Sequence, residues 1–341
     1  MARAVTAIVV NYRSGEDLAN CLDGLLADPE NLEKVMVVDN ASGDESWEPA
    51  EKAARDDNRV RLIMSDVNLG LAAAVNLVLD DVTTPYLTIL NPDVRPENGW
   101  LSPLVTRLDT SPDTAVVCPL VLMEGGGEVN SAGQHVHVTG LGFNRHLHAK
   151  PRSLTSAAQD VGGLHGAAFM IRTDVLKDLG GWDTTGFLYH EDVALSWDIL
   201  LAGKRIEFVP QSRVEHDYHL TMYPDKLYLL ERNRWALLLS HLRARRLVLI
   251  SPALVLTELM VWALCLLRGR SFLRAKWRTF SWLLAERHAI RNWRHTVFTR
   301  PTYDADALAR HTSWSYPMRQ LGILGGERGS SSRVPPGGLK V

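Results

Sequence analysis

The chain has 341 residues, 46% of them hydrophobic and 22% charged, with a net charge of −2, which is enough apolar material for the core of one large or two small domains. Its three cysteines, Cys21, Cys118 and Cys265, are odd in number and far apart, which excludes a disulfide framework or a metal-spaced cysteine cluster and fits a reducing, cytoplasmic setting. The small net charge conceals a split: residues 1–225 hold 17 Lys and Arg against 33 Asp and Glu, whereas residues 226–300 hold 15 against 3, and because this basic part is also strongly apolar, a membrane surface fits it better than nucleic acid.

Residues 4–11 form a short β-branched run that reads as a buried strand, with no apolar segment of the signal-peptide kind before it. Ser14 and Gly15 open a helix carrying Leu18, Cys21, Leu22 and Leu25. A second buried strand is predicted at 34–39, a helix at 47–54, a third strand at 59–64, a helix at 69–79 with Leu71, Val75 and Val78 on one face, and a fourth strand at 85–90. Short apolar strands alternating with helices predict an α/β fold with a doubly wound, mainly parallel sheet, which binds ligands beyond the carboxyl ends of its strands. Polar residues stand at those ends: Asn11-Tyr12, then Asp39-Asn40-Ala41-Ser42-Gly43-Asp44, then Asn91-Pro92-Asp93. Ser42 and Asp44 also fit helix caps, but three polar strand ends in one sheet point to a ligand site.

Beyond residue 113 the pattern changes. A strand is predicted at 114–121, Gly- and His-rich loops or hairpins at 125–147, a polar loop at 151–160, a strand at 163–171 and a short helix at 173–179. Glu191 and Asp192 then lie between an aromatic-rich run and a helix in which Leu195 and Ile199 share a face. Acids in a first turn either favour the helix dipole or stand ready to take a proton from a hydroxyl, and the residues alone leave both open. Two further short strands are expected at 205–209 and 213–216.

From residue 225 the chain reads as helical and basic. Residues 247–267 are almost wholly apolar, long enough to span a bilayer. Pro252 interrupts this run, and Glu258 sits near its centre, where an acid costs roughly 2.5–3.5 kcal/mol on insertion scales. Arg243, Arg245 and Arg246 precede it and Arg268, Arg270 and Arg274 follow, so the charges set no orientation. Helices lying in the membrane interface are the first reading, a true span the second and a soluble core helix the third. Residues 325–341, rich in Gly, Ser and Pro, read as disordered.

The ordered set Val10-Asn11-Tyr12, Val38-Asp39-Asn40-Ala41-Ser42, Asn68-Leu69-Gly70 with Asn76, Asn91-Pro92-Asp93, Glu191-Asp192 and His216 resembles family 2 glycosyltransferases over residues 4–220. Within them it is most similar to the bacterial rhamnosyltransferase branch that builds cell-wall and surface polysaccharides. The resemblance implies a GT-A fold, a Rossmann-like doubly wound mixed sheet, in residues 1–222. A helical, membrane-associating region at 223–300 and a tail at 301–341 would follow, at the inner face of the cell membrane. It implies inverting transfer of a sugar from a nucleotide-diphosphate donor to a hydroxyl of a saccharide acceptor carried on a polyprenyl diphosphate. L-Rhamnose from dTDP-rhamnose is the donor of that branch; galactofuranose or glucose would use the same machinery.

The resemblance also assigns residues. Asp39 would bind the nucleobase, with Tyr12 against its ring. Asn68 and Gly70 would let backbone and a helix start approach the nucleotide. A divalent cation, Mg²⁺ or Mn²⁺, would sit at Asp93 and His216. The family's Asp-x-Asp is here Asn91-Pro92-Asp93, which leaves Asn91 to hold a water or the sugar. His165 and Gly166 would lie under the donor sugar. Asp192 would be the base, and Glu191 the fallback or a group that holds the acceptor. Trp182 and Tyr189 are either sugar platforms or core. Ala194 and Asp198 stand where the family has another acid and later an arginine. Two competing readings are a sugar nucleotidyltransferase and a non-catalytic scaffold. The first wants a glycine-rich basic loop after the first strand, whereas residues 11–15 hold one Arg and one Gly.

Overall fold

The computed structural model describes residues 4–217 and 221–320. The first part alternates β1 (Val5–Asn11), α1 (Glu16–Leu26), β2 (Leu32–Asp39), α2 (Glu48–Asp56), β3 (Val60–Met64), α3 (Leu71–Leu79) and β4 (Tyr86–Leu90). It continues with β5 (Val94–Pro96), α4 (Leu101–Thr110), β6 (Thr114–Met123), β7 (Val129–Ser131), β8 (Gln134–His137), β9 (Gly142–Asn144), β10 (Gln159–Asp160), β11 (Ala168–Arg172), α5 (Thr173–Asp178), α6 (Glu191–Leu201) and β12 (Arg205–His216). Helices then take over: α7 (Pro224–His241), α8 (Ala244–Leu249), α9 (Ser251–Arg268), α10 (Arg270–Ala285), α11 (Arg287–Thr299) and α12 (Ala305–His311), before a last short strand, β13 (Thr312–Ser313).

The main sheet runs β3-β2-β1-β4-β11-β6-β12-β10, with β5 on β12 and β7 on β6. Its first four strands are parallel, and β11 is antiparallel to both neighbours. This is the expected mixed, doubly wound sheet. Side chains alternate along each strand. Ile8, Val10, Met36 and Val38 pack with α3 and α6 on one face; Ala7, Val9, Val35 and Val37 pack with α1 and α4 on the other. Burial on both faces is why these strands are continuous apolar runs rather than alternating ones.

Several elements differ from expectation. The two strands expected at 205–209 and 213–216 are one strand, β12, which pairs with β6 throughout and shifts register between Val209 and Arg213, where Pro210 cannot join the ladder. Helix α4 has no counterpart among the predicted elements, although Leu101, Leu104, Val105 and Leu108 are buried at helical spacing; Pro103 and the Ser and Thr residues around it mask that pattern. The apolar run at 247–267 is not one helix. It breaks at Ile250, and Pro252 opens α9 rather than interrupting it, because the first turn has no use for its missing N–H. The tail returns to the body within its described part: β13 pairs with β8. The stretch 325–341 lies outside the described residues.

The basic region spends part of its charge internally. On α7, Arg234 bonds Glu231 at 2.8 Å and Glu258 of α9 at 2.6 Å; Lys276 of α10 bonds Glu231 and reaches Glu258 at 2.9 Å. Arg234 and Lys276 are buried. Glu258, the acid that sits awkwardly in an apolar run, is therefore neutralised by two cations from neighbouring helices. Among the described residues α9 is the one helix long and apolar enough to cross a membrane, and only 11% of it is buried.

Candidate active site

The carboxyl ends of β1 and β2 meet in register at Asn11 and Asp39. Both are fully buried. Asn11 Nδ2 donates to Asp39 Oδ1 at 2.7 Å, Ser42 Oγ donates to the same oxygen at 2.6 Å, and the Ser42 N–H donates to Oδ2 at 3.1 Å. Asp39 is thus held rigidly at the mouth of the sheet, with one lone pair of Oδ2 left over. Tyr12 beside it is 39% exposed, with the Arg13 guanidinium 5.2 Å from its ring centre. Next along, Asn40 Nδ2 donates to Asn68 Oδ1 at 3.0 Å, and Asn40 Oδ1 accepts from the Leu69 N–H at 2.8 Å. The turn before α3 is therefore fastened to β2. Gly70 in it has φ +77°, and a Cβ there would lie 2.4 Å from the Phe187 carbonyl oxygen. Only glycine fits.

At the end of β4, the Asn91 N–H donates to the Ala167 carbonyl at 2.8 Å, which brings Asn91-Pro92-Asp93 beside the strand that follows His165 and Gly166. Asp93 Oδ2 lies 3.4 Å from His216 Nε2, and His216 Nδ1 meets Asn130 Oδ1 at 3.0 Å. A carboxamide oxygen only accepts, so the Nδ1 of His216 is the ring nitrogen that donates to Asn130, which leaves Nε2 as the atom facing Asp93. Burial, and then the charges of Asp93 and Asp217, hold the nearby Asp17 carboxyl above its ordinary range. Asp93 and His216 suit two positions of a hard or borderline divalent ion; the rest would come from a diphosphate and water, as is usual for Mg²⁺ and Mn²⁺. Among the described residues no group of three or more acids, histidines or cysteines surrounds one point.

From His216 the line continues to His165, whose ring centre is 5.9 Å away edge-on. Burial, and then His216, push His165 down to about 3, so it is neutral near pH 7. The following Gly166 N–H donates to Asp192 Oδ2 at 3.3 Å, and Gln134 Nε2 of β8 donates to the same oxygen at 2.7 Å. Asp93 and Asp192 are therefore joined by contacts through His216, His165 and Gly166. Burial raises both members of the Glu191–Asp192 pair. Against it, Asp192 is offset by hydrogen bonds from Val193, Gln134 and Gly166, whereas Glu191 is pushed further by the Asp192 charge. Burial thus disfavours charge on both carboxyls, and the hydrogen bonds to Asp192 oppose it there more than at Glu191. On the residues of this line four buried polar atoms have no hydrogen-bond partner among the described residues: Asp93 Oδ1, Asn130 Nδ2, Gln134 Oε1 and His165 Nδ1. Buried polar groups are normally satisfied, so such a cluster marks where a polar ligand belongs.

Other sequence candidates are used up elsewhere. Asn76 bonds the Trp182 backbone through both its amide atoms. Trp182 is 1% exposed and packs edge-on against Phe169, so it is core rather than a sugar platform. The Tyr189 ring is covered by Lys226, and its hydroxyl meets that of Tyr223 at 2.9 Å. Asp44 accepts from the Ser46 N–H in the loop before α2. Ala194 is packed in the core, and Asp198 is buried against His241 and Arg300; neither faces an acceptor. Conversely, Gln134 bonds Asp192, Asn130 bonds His216 and Asn40 fastens the Asn68–Gly70 turn, and the sequence marks neither of the first two: they lie in the Gly- and His-rich stretch, remote from every motif.

Comparison with known proteins bears on this geometry. A family model described as Glycosyl transferase family 2 matches residues 6–180. The Pre-mycofactocin glycosyltransferase of Mycobacterium tuberculosis is 32% identical over 150 residues, 44% of this chain but 30% of that protein. The N-acetylglucosaminyl-diphospho-decaprenol L-rhamnosyltransferase of the same organism is 26% identical over 238 residues, 63% of this chain and 76% of that protein. Among solved structures, a mannosyltransferase from Pyrobaculum calidifontis in complex with GDP-Man and Mn²⁺ superposes with a TM-score of 0.54 at 18% identity, covering 91% of this chain and 87% of its own. GalNAc-T7 with UDP, GalNAc and Mn²⁺ gives 0.58 at 18% identity, covering 70% of this chain and 48% of its own.

Proposed function

Because the chain belongs to glycosyl transferase family 2, we propose that it moves a sugar from a nucleotide-diphosphate donor to an acceptor hydroxyl with inversion at the anomeric carbon. The observation that carries this reading is the continuous polar line from Asp93 to Asp192, with its unpartnered buried atoms. Asp39 and Tyr12 hold the base, and the Asn68–Gly70 turn lies along the nucleotide. Asp192 takes the acceptor proton as the acceptor oxygen bonds to the anomeric carbon. The bond from that carbon to the phosphate oxygen breaks, and the nucleoside diphosphate leaves with the electron pair. One displacement needs no covalent enzyme intermediate. His165, neutral, offers a hydrogen bond to the sugar. Asp93 and His216 would hold Mg²⁺ or Mn²⁺, which neutralises charge on a departing diphosphate.

The proposed donor is dTDP-L-rhamnose, favoured by the likeness to the rhamnosyltransferase over most of that protein's length. The proposed acceptor is a saccharide on a polyprenyl diphosphate at the inner face of the cell membrane. The helical region suits such a surface. Leu249, Val255, Leu256, Leu259, Leu266 and Leu267 are exposed on α8 and α9, with exposed Arg245 and Arg270 near the ends. The tether of Glu258 to Arg234 and Lys276 favours α9 lying in the interface over crossing it, because a span would have to bring that cluster into lipid. A panel of sugar nucleotides, assayed for nucleoside diphosphate release with and without EDTA, tests the transfer. Release from dTDP-rhamnose that stops with EDTA supports it; no acceptor-dependent release from any donor overturns it.

A further inference from the structure

Asn233 of α7 is buried, 4% exposed, and 41 residues from Asp192 in sequence. Its Nδ2 donates to three carbonyls of one segment, Gly186 at 2.9 Å, Leu188 at 2.9 Å and Tyr189 at 2.7 Å. An amide nitrogen has two hydrogens, so one of them is shared. The neighbouring Arg232 fixes which way the amide faces: its Nε donates to Asn233 Oδ1 at 3.1 Å, and its Nη2 adds a bond to the Gly186 carbonyl at 3.1 Å. The segment they grip is left-handed at Phe187, Tyr189 and His190, with φ of 59°, 62° and 72°. None of these is glycine, and such backbone persists only where its surroundings over-determine it. Glu191 and Asp192 follow directly as the first turn of α6. At its other end the segment abuts the donor side, where the Phe187 carbonyl rests on Gly70.

We infer that Asn233, assisted by Arg232, is a positioning residue: its carboxamide locks residues 186–190 in their left-handed path and so aims Asp192 across the crevice. This rests on Asp192 being the base. The lock is non-local, since a helix of the basic region secures a loop of the sheet domain. It also accounts for a polar side chain at a buried position of α7 between Leu229 and Ala236.

The test compares the full-length wild type with Asn233→Ala, Asn233→Ser and His190→Gly. Asn233→Ala is expected to lower kcat about a hundredfold, as a small misplacement of a catalytic group does, while donor Kd by titration changes by far less, under about threefold. The acid limb of its kcat/KM profile should move to higher pH, because a displaced Asp192 leaves the Gln134 and Gly166 donors that favour its charged form. Asn233→Ser, which keeps one donor, should fall between. Glycine accepts the left-handed path freely, so the loss caused by Asn233→Ala should shrink in a His190→Gly background. Amide hydrogen exchange at 187–193 should quicken in Asn233→Ala, an outcome that needs no turnover. Wild-type kcat and pH profile in both Asn233 variants, or losses independent of His190→Gly with unchanged exchange at 187–193, overturn the inference. If Asn233→Ala does not fold, the Ser variant and its exchange decide. A wild type that binds donor but transfers nothing defeats the catalytic reading instead, and leaves the exchange result to judge the lock.

Discussion

The two sides of the crevice are built differently. The donor side is made of strand ends. Asn11 and Asp39 are register partners in adjacent parallel strands, and Ser42 and Asn40 belong to the same turn as Asp39. Each is placed by the strand it terminates, so its geometry follows from a few neighbouring residues. The acceptor side has no such frame. Asp192 opens a helix after a left-handed run, is gripped by Gln134 from 58 residues upstream, and is aimed by a loop that Asn233 holds from downstream. The donor side is framed by adjacent strand ends, whereas the acceptor side draws on a hairpin strand, a left-handed loop and a helix of the basic region.

The sharpest way to break the comparison is Asp192→Asn. It should cut transfer by about 10³-fold, within the range for loss of a general base, while leaving donor affinity as it is; a parallel loss of donor binding, read by titration calorimetry, would mean that the two sides are not separable. Gly70→Ala attacks a point where they touch. A Cβ there meets the Phe187 carbonyl and forces a strained φ, at a cost on the order of 1–3 kcal/mol. Both donor KM and kcat should worsen, with a lower Tm; a variant with wild-type kinetics would show that the contact is idle.

Gln134→Ala is the mildest. Asp192 already sits above the ordinary aspartate range because it is buried, so kcat/KM should rise with pH through that raised value as the base ionises. Removing Gln134 takes away a hydrogen bond to the charged form and moves the acid limb to higher pH. The loss at the optimum should be about tenfold, the low end for one hydrogen bond to a charged group. A limb that moves to lower pH would contradict the assignment. On the membrane side, Leu266→Asp with Leu267→Asp should reduce sedimentation with anionic vesicles without altering turnover on a lipid-free acceptor; undiminished binding would remove α9 from that role.

Sequence by itself determined the sheet, its ligand-bearing edge and the order of the motifs, because strand periodicity and strand-end polarity are local properties of the chain. Through its family resemblance it singled out Asp39, Gly70, Asp93, Asp192 and His216, and contacts through His165 and Gly166 join the last three. It did not determine that Trp182 and Asn76 are committed to packing, that β12 is one strand, or that Glu258 is matched by Arg234 and Lys276. Nor did it mark Gln134, Asn130 or Asn233, since an amide in a loop or helix has no signal until its partner is known. Tertiary structure decided these, because a hydrogen bond or ion pair between residues tens of positions apart depends on which surfaces the folded sheet and helices bring together, and no short window of sequence contains both halves.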